Sequence, residues 1–219
     1  MSRPLLITDC DEVLLHMVTP FGHWLGERHD VAFAMTGQDF TGALTRRGDG
    51  SALASHEVWP LLDGFFETEM DRQTLVPGAG EALARLAAEA DVVVLTNLGD
   101  DCHARRVAQL DRHGIRHRVQ CNQGPKGPAV AAIVERFAPS VAVFVDDLPS
   151  HHASIARDAP AVWRLHMIAE PAVAVHVPPA AAAHARIDDW PDAVAWIEAR
   201  FAAGLPAGPE PATNARTTR

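Results

Sequence analysis

Several things that would place a chain quickly are scarce or missing here. There are three cysteines, Cys10, Cys102 and Cys121, odd in number and without paired spacing. That argues against a disulfide framework or a cysteine zinc site and fits free thiols in a reducing compartment. Positive charge is in deficit: 19 Lys and Arg against 28 Asp and Glu leave a net charge of −9, with no basic run. A nucleic-acid partner is therefore not expected. No apolar run approaches membrane-spanning length, and the start Met-Ser-Arg-Pro-Leu lacks a long apolar signal segment. These features lead us to expect a cytoplasmic protein with no membrane partner. Internal repeats, a Walker loop and a Gly-x-Ser-x-Gly elbow are all missing. His56-Glu57-Val58-Trp59-Pro60 begins like a zinc-protease helix but has Pro where the second His belongs, and Gly78-Ala79-Gly80-Glu81-Ala82-Leu83 lacks the third glycine of a dinucleotide loop.

What is present is ordinary in bulk and specific in a few places. Hydrophobic residues make up 47% and charged residues 21% of the 219 positions, enough for one α/β core and an insertion. Leu5-Leu6-Ile7-Thr8 is a short apolar run after Pro4 that reads as a buried strand, and it ends in Asp9-Cys10-Asp11-Glu12. In an open α/β sheet, ligands bind beyond the carboxyl ends of the strands, where these acids emerge. The pattern is not a calcium loop of the EF-hand type, since its sixth and twelfth positions are Leu14 and Pro20.

Three further segments agree. Asp91-Val92-Val93-Val94-Leu95-Thr96-Asn97 is a second apolar strand, ending in a hydroxyl and an amide. Asn122-Gln123-Gly124-Pro125-Lys126-Gly127-Pro128 delivers one lysine from a Gly/Pro-rich loop into a helix-like run. Val141-Ala142-Val143-Phe144-Val145-Asp146-Asp147 is a third strand ending in paired acids. In order, the chain offers Asp-x-Asp, Thr, Lys and Asp-Asp.

This ordered set resembles the haloacid dehalogenase-like superfamily of phosphotransferases, over roughly residues 4 to 200. The opening Asp-Cys-Asp-Glu-Val-Leu is similar to the first motif of its phosphatase and phosphomutase branches, with Glu12 where many members carry Gly. The resemblance implies a Rossmann-like α/β core with a mainly parallel sheet. It also implies Mg²⁺ as cofactor and a small-molecule phosphate ester as substrate.

The chemistry also follows from the residue types. Phosphoryl transfer demands chiefly positioning and charge neutralisation. A strand-end carboxylate, Asp9, can act as nucleophile and form an aspartyl-phosphate, and a divalent cation would shield it from the phosphate. Asp146 and Asp147 are the best further metal ligands, because adjacent carboxylates repel unless a cation lies between them; the alternative for one of them is to cap the helix starting near Pro149. By resemblance, the backbone carbonyl of Asp11 joins the metal set. The Asp11 side chain is the expected general acid and base, since an alkoxide leaving group needs a proton and a halide does not. Thr96 and Lys126 are expected to bind the phosphoryl group and neutralise its charge. Asn97 is a second substrate contact or a turn former. Cys10 is expected to point to the opposite face from both acids and to pack.

The motifs divide the chain into a core of residues 1–16 and 76–203, an insertion of residues 17–75 and a tail, 204–219, of disordered composition. The insertion shows helix-like stretches near 21–35 and 51–70 and is similar in placement to the family's helical cap. After it, helices are expected over 81–90, 100–113, 128–137, from 149 and over 191–201. Strands are expected over 91–96, 117–120, 141–145, 162–165 and 185–187.

Specificity is less legible. His151-His152 line the pocket or lie on the surface of the next helix, and the second is expected. Arg46-Arg47 receive a second anionic group or form an exposed pair, again with the second expected. Trp24, Phe21, Trp59 and Phe65-Phe66 form either an apolar substrate surface or the insertion's own core. The leading reading is a Mg²⁺-dependent phosphatase of small phosphate esters. The alternatives are a phosphomutase, a catalytically weak binding or regulatory protein with the same fold, and a dehalogenase, the last disfavoured by Asp11.

Overall fold

The computed structural model describes residues 2–35 and 40–208. Most of the tail expected from composition, 209–219, lies outside the described residues. The chain runs β1 Leu5–Thr8, β2 Leu15–His16, α1 Val18–Arg28, β3 Val31–Phe33, β4 Leu44–Arg46, α2 Ser55–Thr68, β5 Thr74–Leu75 and α3 Ala79–Ala87. It continues β6 Asp91–Thr96, α4 His103–Arg112, β7 Arg118–Cys121, α5 Gly127–Phe137, β8 Ala142–Asp146, α6 Pro149–Asp158, β9 Trp163–His166, α7 Pro171–Ala174, β10 Ala185–Arg186 and α8 Trp190–Ala203.

Six strands form a parallel sheet in the order β10-β9-β8-β1-β6-β7. Strands buried on both faces read as continuous apolar runs, and here the two faces can be separated by alternation. Leu6, Val94 and Val143 pack with Leu83, Leu110 and Ile197 from α3, α4 and α8. Leu5, Ile7, Val93 and Phe144 pack with Val130, Ile133 and Ile155 from α5 and α6. The sheet is thus covered on both sides, as strands alternating with helices require. β1 lies between β6 and β8, with Thr8 level with Val94 and Val145. This register sets the ends of three neighbouring strands side by side, and the motif residues follow from it. Among the described residues, no helix is long and apolar enough to cross a membrane.

Residues 17–75 fold outside this sheet, entered through β2 and left through β5, which pair antiparallel. Two helices form, as the periodicity predicts, but the first ends at Arg28 instead of continuing to 35. The backbone turns left-handed at Asp30 (φ 53°), and Val31–Phe33 then pairs with Leu44–Arg46 as an antiparallel hairpin. Three residues of Val-Ala-Phe, extended and β-branched at the start, pack better as a strand edge than as a last helical turn. Phe21 is the hub of this segment, with ring centroids of Phe65 at 5.4 Å and Phe33 at 5.5 Å. Its apolar cluster also takes in Leu98 from the core.

Candidate active site

The first acids leave β1 at its carboxyl end. Asp9 N donates to Val145 O (2.8 Å), so the nucleophile candidate is still fixed to the sheet although the strand has ended. Its Oδ1 accepts from Cys10 N (2.6 Å) and from Lys126 Nζ (2.7 Å). Lys126 reaches it from the start of α5 and is fully buried, as is Asp146, whose Oδ2 also accepts from Lys126 (2.7 Å). That depth requires close approach of α5 to α6. At Gly127 a Cβ would sit 2.6 Å from the Ser154 carbonyl oxygen, so only glycine fits there.

Asp146 is engaged at both oxygens: the other accepts from Leu148 N (2.8 Å). Among the described residues, no group bonds the Asp147 carboxylate. One carboxyl oxygen each from Asp9, Asp146 and Asp147 lie within 4.8 Å of one another. Burial pushes the Asp9 carboxyl up to about 7; Lys126 pulls it down, and Asp146 and Asp11 push it further up. Burial, then the charges of Asp146 and Asp9, hold Asp147 well above the usual carboxylate range. Burial acts on Asp146 too, but there Lys126 and the neighbouring histidines outweigh it and the group is lowered. Lys126 pairs with Asp9 and Asp146 but not with Asp147, so the cluster is short of positive charge. Hard carboxylate oxygens with such a deficit fit a small divalent cation, and Asp147 has the oxygens least committed elsewhere.

The backbone carbonyls of the acid pair are held by histidines. His152 Nε2 lies 3.0 Å from Asp146 O, and His166 Nε2 lies 2.8 Å from Asp147 O. The Nδ1 of His166 accepts from Ala180 N (3.1 Å), which leaves the proton on Nε2 to donate. The expectation that His151 and His152 lie on the surface is overturned: they are 6% and 0% exposed. Both stand on the same side of α6 as buried Ile155, three and four residues on, and helical spacing carries them inward. Burial lowers His152 to about 4 and keeps it neutral. His151 lines the cavity over the acids, with Nε2 3.4 Å from Asn97 Nδ2.

Asp11 stands beside this cluster. Arg106 on α4, fully buried, grips both its oxygens (2.9 and 3.0 Å). Gln73 Nε2 donates to the same carboxylate at 2.6 Å, and Thr96 Oγ1 lies 3.4 Å away. Arg106 also donates to Gln109 Oε1 (3.0 Å) and to Cys10 Sγ (3.2 Å). Cys10 is buried as expected, but it does not face away from Asp11: the strand ends at Thr8, alternation stops there, and thiol and carboxylate meet one guanidinium. Sequence reasoning missed Arg106 because Arg105-Arg106 on a charged helix looks solvated. Its spacing to Gln109 and buried Leu110, three and four residues on, is the signal that marks it as inward.

Glu12 has φ 59°, a left-handed backbone that glycine adopts without strain and that Glu must be held in. Its Oε1 accepts from Met17 N and Val18 N (2.6 Å each), so the side chain covers the amino end of α1 and ties the insertion to the motif loop. Asn97 acts as a turn former, donating to Gly124 O (3.0 Å) in the lysine loop, and it also lines the cavity. Arg46 does not reach the site, because it ends β4 and pairs with Glu57 at 2.6 Å. It lines a separate open groove of about 560 Å³ that shares no lining residue with the carboxylate cavity.

That cavity, about 270 Å³, opens onto Asp9, Asp11 and Asp147. Trp59 and Phe66 of the insertion line it, whereas Phe21, Trp24 and Phe65 are buried in the insertion's own cluster. Phe66 belongs to that cluster as well, so four of these five aromatics form the insertion's core and Trp59 stands outside it.

No family model and no curated protein matches the sequence. Solved structures match over nearly the whole chain. One from Burkholderia xenovorans, described as a haloacid dehalogenase-like hydrolase, is 18% identical, with 92% of this chain and 99% of that one covered and a TM-score of 0.58. A Lactobacillus plantarum structure described as a phosphoglycolate phosphatase is 16% identical (89% and 99% covered, TM-score 0.58). The D,D-heptose 1,7-bisphosphate phosphatase of B. bronchiseptica, complexed with magnesium and phosphate, is 13% identical (90% and 99% covered, TM-score 0.53). The chain has the haloacid dehalogenase-like fold.

Proposed function

We propose that this protein is a Mg²⁺-dependent phosphatase that hydrolyses a small-molecule phosphate monoester through phospho-Asp9. The observation that carries the reading is the convergence of Asp9, Asp146 and Asp147 at the ends of adjacent strands, with one buried lysine from the start of α5 paired to the first two. Magnesium bound to the heptose bisphosphate phosphatase of the same fold supports it. Asp9, Asp147 and the carbonyl of Asp11 would hold the metal, which would supply charge neutralisation for the incoming phosphate.

This chain's own groups account for the remaining steps. Lys126 and Cys10 N bond Oδ1 of Asp9, which leaves Oδ2 to attack phosphorus. Lys126 offsets charge on the nucleophile and on the phosphoryl oxygens. Thr96 sits between the phosphoryl site and Asp11 and donates to one of those oxygens. Asp11 gives a proton to the leaving alkoxide and takes one from the water that later cleaves the acyl phosphate. Arg106, Gln73 and Gln109 are positioning residues that keep its carboxylate in place. Residues 17–75 act as a cap that walls the cavity and limits water. A small-molecule ester is the expected partner; no macromolecular partner is needed for this chemistry.

The test is phosphate release from a panel of small esters in Mg²⁺ and in EDTA. Release in Mg²⁺ and its loss in EDTA are expected; turnover undiminished by EDTA overturns the metal assignment. A second expected outcome concerns Arg106→Lys, which keeps the charge but loses the second guanidinium nitrogen that bonds Cys10, Gln73 and Gln109 while the first holds Asp11. It should lower kcat by about 10²-fold, the lower end of what a positioned acid contributes, with KM little changed. Unaltered kcat would show that Arg106 does not position Asp11.

A further inference from the structure

Among the described residues, the cavity above the acids is walled mainly by hydrocarbon. Its upper wall combines Phe40, Trp59, Leu62 and Phe66 from the insertion with Leu148 and Ile168 from the core. Trp59 and Leu148 are 51% and 46% exposed, which is unusual for large apolar side chains unless they meet something. Among the described residues lining the cavity there is no lysine or arginine. The polar groups there other than the site acids are Asn97, His151 and Glu12, and Glu12 is committed to the amino end of α1. A sugar phosphate would bury several hydroxyls against a lining that, among the described residues, offers only Asn97 and His151 beside the acids. A bisphosphate or phosphocarboxylate would set a second anion among Asp9, Asp11, Glu12 and Asp147 with no cation to receive it. The phosphoglycolate and heptose bisphosphate named for two structures of this fold belong to that second class.

From this lining we infer that the substrate is a phosphate monoester of a small apolar alcohol. The inference rests on the phosphatase reading and narrows it. An apolar cavity of ~150 Å³ accepts benzene, so 270 Å³ holds the phosphoryl group and a hydrocarbon of about that size. Trp59 and Phe66 are the specificity-determining residues, because they offer flat apolar surface to that hydrocarbon.

The experiment compares n-butyl phosphate with glycerol 3-phosphate, which match in length and differ in hydroxyls. Phosphate release is measured in Mg²⁺, alongside calorimetric binding of butylphosphonate and 3,4-dihydroxybutylphosphonate, which cannot be hydrolysed. The expected result is a kcat/KM higher for the butyl ester by about 10- to 100-fold, and the same order in binding. Trp59→Ala should lower that ratio by about 5- to 10-fold, since the side chain supplies the discriminating surface. Equal or faster release from glycerol 3-phosphate overturns the inference and leaves the phosphatase reading standing. If neither ester is cleaved yet butylphosphonate binds the tighter, the phosphatase reading falls and the apolar specificity of the cavity stands. If neither cleavage nor binding is seen, both are overturned.

Discussion

Asp9→Asn is expected to reduce phosphate release by at least about 10⁴-fold, the scale on which loss of a covalent nucleophile is felt. The change is nearly isosteric. The side-chain oxygen of Asn keeps the bond from Cys10 N and a dipole toward Lys126, so the environment of Oδ1 survives. The atom exchanged is the one that would attack phosphorus, and an amide nitrogen at that place has no lone pair to offer. The fold should be intact, and the unfolding temperature in EDTA should not fall, because one of three mutually repelling acids has been neutralised. The check is steady-state phosphate release together with thermal unfolding. Full activity in Asp9→Asn would falsify the covalent route.

The second large effect is on stability. Lys126→Met keeps the length of the side chain and removes the only positive charge that, among the described residues, is bonded to Asp9 and Asp146. Leaving buried acids without their cation costs on the order of 3–5 kcal/mol, read as a lower urea midpoint in EDTA at pH 8. The sign of the pH dependence follows from the same geometry. Without Lys126, burial and mutual repulsion push Asp9 further above its unfolded value of 3.8, and Asp146 loses the charge that holds it below that value and is raised as well. An acid raised in the folded state binds more protons there, so its contribution is intact below the unfolded pKa and is lost as pH rises through the folded one. The deficit of Lys126→Met should therefore be small near pH 5 and largest near pH 8. Equal deficits at the two pH values would mean that packing, not charge, holds the lysine.

The parts of this molecule legible in its sequence share one property: each needs only neighbouring residues to be read. Asp9, Thr96 and Asp146 each end an apolar run, so strand, strand end and polar group are written in consecutive letters. The parallel sheet followed from the alternation of such runs with helices. What escaped depends on residues meeting across the chain. Arg106 of α4 and Gln73, just before β5, reach Asp11 from separate parts of the chain, Gln109 bonds both of them, and each looks like an ordinary surface residue in its own segment. His152 and His166 hold the carbonyls of the acid pair from two different elements. The β3–β4 hairpin was hidden because its strands are three residues each, too short for a period-2 pattern to stand out.

The place of β1 in the middle of the sheet also shapes how the protein comes into being. The strand that leads into Asp9 leaves the ribosome well before its partners, residues 91–94 and 142–145. At a translation rate of about 5–20 residues per second, that strand waits roughly 7–30 s for its second neighbour. Throughout that interval Leu5-Leu6-Ile7 is an unpaired sticky edge, which a nascent chain must shield from its own kind by collapse or by a chaperone. A chain halted before Asp146 therefore holds its first strand without one of its two neighbours, and the cluster of Asp9, Lys126 and Asp146 is completed only once β8 has emerged.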